Sequence, residues 1–131
     1  LTLLTLSLTL ADEQPDASAL SEDSRSLLLE RLAVLNEIAK LQRTGYQAGQ
    51  VQFNDVLAAE AEVLAAKREL AQTPAERVAI LERMLENARQ LEQVVEQLAQ
   101  AREVSPIDAL KANAFRLKVQ SDLVRARAAP K

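Results

Sequence analysis

The side chains here that can do chemistry are carboxylates and cations set at helical spacing. Glu82 and Glu86 stand four residues apart, as do Glu92 and Glu96, which puts each pair on one face of a helix. Paired carboxylates can hold a divalent cation or share a proton in acid–base work. The rest of the inventory argues against both. The chain has no His and no Cys, so thiol nucleophiles, disulfides, zinc sites built on those residues and the Glu-x-x-His pattern of di-iron bundles have nothing to build on. The usual general base near neutral pH is missing too. Bases and amides interleave with the acids: Arg89 and the neutral Gln93 flank Glu86 and Glu92, Glu62 stands near Arg68, and Lys67 near Glu60 and Glu69. These read as the solvated flanks of helices, and Met84 as a seam filler. Gly-rich phosphate loops and nucleophile elbows are absent. The expectation is a protein without catalytic residues, metal or cofactor, and not an enzyme.

The elements carrying these charges are legible in composition. Of 131 residues, 48% are apolar but only 2% aromatic, and there are two Gly. Leu, Ala, Glu, Gln and Arg favour helices packed through Leu/Ala seams. The formal net charge is −3. The stretch from Pro106 to Lys131 carries six bases against two acids, but Phe115 is its one aromatic, too few for base stacking. It reads as a solvated face, and no nucleic-acid partner is expected.

Residues 1–11, with the apolar run Leu1 to Leu10 and the small Ala11, read as the tail of a secretory signal peptide. The run is too short to span a bilayer as a helix, and no other segment can. Residues 12–20, with Pro15 and small polar side chains, form a leader. The remainder, 21–131, reads as one helical domain of an exported, periplasmic or outer-membrane-associated protein.

Four helices are predicted in that domain. The first runs from Glu22 to Gln47 behind a Ser21 or Ser24 cap, with a seam of Leu28, Leu32, Leu35 and Ala39 widened by Leu27, Leu29, Ile38 and Leu41. Gly45 marks early fraying, and Gly49 is the C-cap candidate because a helix end commonly needs a positive φ. The second spans Asn54 to Gln72, with Leu57, Ala61, Leu64 and Ala71 on its seam. Thr73-Pro74-x-Glu76 caps the third, which runs to Arg102 with Leu81, Met84, Ala88, Leu91, Val95 and Leu98 at alternating 3–4 spacing. Ser105-Pro106-x-Asp108 repeats the device for the fourth, which ends near Ala128 with Ile107, Leu110, Ala114, Leu117 and Val124 on its seam.

An offset of 53 residues superposes the pattern on itself: Leu28 on Leu81, Val51 on Val104, Asp55 on Asp108, Leu57 on Leu110 and Leu64 on Leu117. The fold expected is all-α, an internal repeat of two tandem antiparallel hairpins (21–72 and 73–128) in a coiled-coil-like bundle.

The stretch Gly45 to Ala71, with Tyr46, Gly49 and Asp55-Val56 at their spacing, resembles the periplasmic hairpin tip of the TolC family of outer-membrane efflux proteins. That family carries the hairpin twice per chain. The resemblance implies an exported protein acting in envelope transport, touching a periplasmic adaptor protein through its hairpin turns and associating with itself. By position it assigns Tyr46, Gly49, Val51 and Asp55 to the first tip. The second keeps Val104, Asp108, Leu110 and Ala112 but has Ala99 for the aromatic and Arg102 for the Gly, so it is either degenerate or closed differently by Ser105-Pro106; Val104, Ser105 and Asp108 are its candidate contact residues. The family's transmembrane strands have no counterpart between the repeats. The alternative is a stand-alone periplasmic coiled-coil scaffold or binding module with no transport role.

Overall fold

The computed structural model describes residues 20–130. The expected signal-peptide remnant, and all of the leader but Leu20, lie outside them. The described chain is all-helical: α1 (Glu22–Gln47), α2 (Phe53–Leu70), α3 (Pro74–Gln100) and α4 (Pro106–Ala128). Among the described residues, no helix is long and apolar enough to cross a membrane.

Each helix starts where a side chain satisfies an orphan backbone donor. Ser21 Oγ accepts from the Ser24 N–H at 3.1 Å, which settles the α1 cap on Ser21. Thr73 Oγ1 accepts from the Glu76 N–H, and Ser105 Oγ from the Ile107 N–H. Glu76 reaches back as expected, but one residue further: its Oε2 accepts from the Gln72 N–H at 2.9 Å. α2 starts one residue earlier and ends two residues sooner than its periodicity suggests, and α3 stops at Gln100.

α1 packs on α2, α2 on α3 and α3 on α4, in the up-down alternation that short connections impose. α2 is the hub. Its Ala59, Val63 and Ala66 pack with Leu35 and Ala39 of α1. On another face its Leu64 joins Leu81, Met84 and Leu85 of α3 and Val119 and Leu123 of α4. Arg68 on α2 also reaches α4, 2.9 Å from Asp122.

Two expected seams are corrected. The α4 stripe Ile107, Leu110, Leu117 and Val124 is 50–69% exposed, and Ala114 is exposed with it. α4 instead buries Ala112, Val119 and Leu123, with Phe115 and Ala126 packed beside the core. The helix is apolar on two opposite faces, and the regular heptad lies on the outer one. The buried face was disguised by Asp122, a carboxylate only 8% exposed that Arg68 and Arg125 neutralise. On α1, Leu35 and Ala39 are buried and Leu28 and Leu32 half-buried, but the widening residues Leu27, Leu29, Ile38 and Leu41 face solvent.

Candidate functional site

The candidate residues lie at the two hairpin turns, and up-down topology brings both turns to one end of the array. Asn54, at the start of α2, shares a groove of about 410 Å³ with Val104, Asp108 and Lys111, so the second turn sits beside the first.

The first turn is built by backbone geometry. α1 ends at Gln47 with Ala48 as its C-cap, and Gly49 follows at φ +74°. The Gly49 N–H donates to Tyr46 O at 3.0 Å and the Gln50 N–H to Gly45 O at 2.8 Å, the two bonds of a Schellman motif. Gly49 therefore serves through its left-handed φ. No neighbouring chain presses on it, since a Cβ at Gly49 would meet nothing within 4 Å. Close approach occurs at Gly45, where a Cβ would lie 3.3 Å from both Val51 methyls. Gly45 stays helical and admits Val51 over the helix end, so it does not mark fraying.

Tyr46 is 46% exposed, and its ring centroid lies 5.3 Å from that of Phe53, tilted by 41°. This pair ties the last turn of α1 to the first residue of α2 and leaves aromatic surface outside. Phe53 was not singled out from sequence, though an aromatic seven residues after Tyr46 across a turn was the available signal. Asp55 is exposed, and its Oδ2 accepts from the Gln52 N–H at 3.1 Å. It holds the N-terminus of α2, where a negative charge is favoured by the helix dipole.

The second turn closes in the same way. The Arg102 N–H donates to Ala99 O and the Glu103 N–H to Leu98 O, at 3.0 and 2.8 Å, with Arg102 at φ +60°. Its backbone is thus not closed differently, although Ala99 and Arg102 stand where the first turn has Tyr46 and Gly49. Val104 is half-buried, while Ser105 and Asp108 are exposed.

Of the four carboxylates set in pairs, Glu82 and Glu92 are tied to α4, while Glu86 accepts from Gln90 Nε2 one turn along its own helix at 3.3 Å. Glu92 accepts from Asn113 Nδ2 at 2.7 Å and from Arg116 Nε at 3.0 Å. The Asn113 bond holds its pKa below the usual carboxylate range against the opposing effect of burial, and Arg116 adds to the lowering. Burial pushes Asp122 up, but hydrogen bonds from Arg68 and Arg125 outweigh it and leave its pKa lowered. Glu82 pairs with Arg127, Glu69 with Arg31 and Glu60 with Arg43. Among the described residues, no group of three or more acidic side chains gathers to hold a metal ion.

No family model, curated protein or solved structure matches the chain.

Proposed function

We propose that this protein is an exported helical-hairpin module that works by protein–protein contact at its turns and by association with itself, in envelope transport. One observation carries the reading. The partly exposed Tyr46–Phe53 pair stands at the same end of the array as Val104, Ser105 and Asp108. Aromatic surface beside a polar rim is what recognition of another protein uses most. The resemblance of Gly45 to Ala71 to TolC-type tips supplies the partner class, a helical hairpin of a periplasmic adaptor protein.

The test is calorimetric titration of the full chain with such an adaptor hairpin, repeated with Tyr46→Ala. Saturable binding that weakens at least about tenfold (about 1.4 kcal/mol) in the variant, at unchanged helicity, supports the reading. No binding by the unaltered chain, or equal binding by both, removes the turns from the function.

A further inference from the structure

We infer that α4 of one copy of this chain packs antiparallel on α1 of a second copy, joining copies head to tail. The inference deepens the self-association proposed above and rests on that part of it alone.

It starts from two unpartnered stripes. Ile107, Leu110, Leu117 and Val124 on α4 are 50–69% exposed; Leu27, Val34, Ile38 and Leu41 on α1 are 41–65% exposed. Both stripes keep the 3–4 spacing of a helix–helix seam.

The 53-residue offset says what each stripe is equivalent to. Leu110 and Leu117 correspond to Leu57 and Leu64 of α2, which are 2% and 6% exposed. Those residues meet α3: Asn87 Nδ2 donates to Leu57 O at 3.1 Å, and Leu64 packs with Met84, with Ile80 against the same cluster. Counting back 53 from Ile80, Asn87, Leu91 and Val94 gives Leu27, Val34, Ile38 and Leu41. The open stripe of α4 thus matches the α2 side of the α2–α3 contact, and the open stripe of α1 matches much of the α3 side. A second copy supplies to each edge the counterpart that α2 and α3 supply to each other. Because α2 and α3 are antiparallel, α4 and the second α1 are too.

Charge selects the same pairing. Asp23, Glu30 and Glu37 border the α1 stripe at intervals of seven, and Lys111, Lys118 and Arg125 border that of α4. Antiparallel α1–α1 or α4–α4 pairing sets like charges side by side. Pairing α1 with α4 puts opposite signs on one interface.

Light scattering of the full chain over a concentration series tests this, with Val34→Asp/Ile38→Asp as the α1 variant and Leu110→Asp/Leu117→Asp as the α4 variant. The unaltered chain is expected to associate, each variant alone to be monomeric with unchanged helicity, and an equimolar mixture of the two to form a one-to-one dimer. Each variant keeps the edge that the other has lost. A monomeric unaltered chain overturns both this pairing and the wider self-association. Association of either variant alone leaves self-association standing but overturns the α4–α1 pairing, as does a mixture that stays monomeric. Leu110→Ser/Leu117→Ser serves the same test if the acidic pair lowers helicity.

Discussion

Gly49 and Arg102, 53 residues apart, hold the same left-handed position in two Schellman motifs, at φ +74° and +60°. The position favours glycine, because a side chain in this conformation crowds the following carbonyl at roughly 1–2 kcal/mol. Arg102→Gly should therefore raise unfolding stability by about 1 kcal/mol, and Gly49→Ala should lower it by a similar amount. Urea unfolding of the two variants checks both signs; a destabilising Arg102→Gly would mean that the arginine side chain stabilises the turn more than its backbone strains it.

A second glycine obeys different physics. Gly45 is helical, so alanine there gains about 1 kcal/mol of helix propensity. Its new methyl would lie 3.3 Å from both Val51 methyls, tight enough to offset that gain. Gly45→Ala should be near neutral in the native background and stabilising by about 0.5–1 kcal/mol alongside Val51→Ala, relative to Val51→Ala alone. A double-mutant cycle on unfolding midpoints measures the difference.

These turns show what the sequence carried and what it did not. Helix existence was legible, because Thr73-Pro74 and Ser105-Pro106 state their role in local chemistry and each cap is made as read. The positive φ at Gly49 was legible for the same reason. The second left-handed residue was not, since Arg102 holds its conformation through two backbone bonds and not through its own preference. Nor was the packing face of α4. Leu57 and Leu110 are equivalent in pattern, yet one is 2% and the other 69% exposed. Pattern reports that a face is apolar; whether another helix lies there depends on being central, like α2, or at an edge, like α4. The charge pairs were hidden likewise, as Glu92–Arg116 and Arg68–Asp122 join helices that only the fold brings together.

Acid should loosen the α3–α4 and α2–α4 contacts first. Glu92 and Asp122 both have folded pKa values below their unfolded ones. A depressed carboxylate pKa contributes stability that is fully present above the unfolded value, about 4, and is lost as pH falls through the folded value. Stability should be level from pH 7 to about 5 and decline below about 4. Urea midpoints at a series of pH values give the slope, and the slope in acid should flatten in Glu92→Gln and Asp122→Asn. At pH 7, Asp122→Asn should cost about 1–3 kcal/mol, since it weakens charged hydrogen bonds to Arg68 and Arg125 in a buried place.

The two faces of α4 make opposite predictions for the same kind of substitution. Val119 and Leu123 are 1% and 3% exposed and pack with Leu64, Leu81 and Leu85, so truncation there removes contacts and leaves a cavity. Leu123→Ala should cost about 2–4 kcal/mol and Val119→Ala somewhat less. Leu117 and Leu110 are 50% and 69% exposed, and Leu→Ser at either should move the stability of the dilute chain by no more than about 0.5 kcal/mol. Measured at concentrations low enough to exclude association, a large loss at Leu110 together with a small one at Leu123 would turn α4 by half a revolution. The heptad stripe would then be the true core seam and Asp122 would lie in solvent.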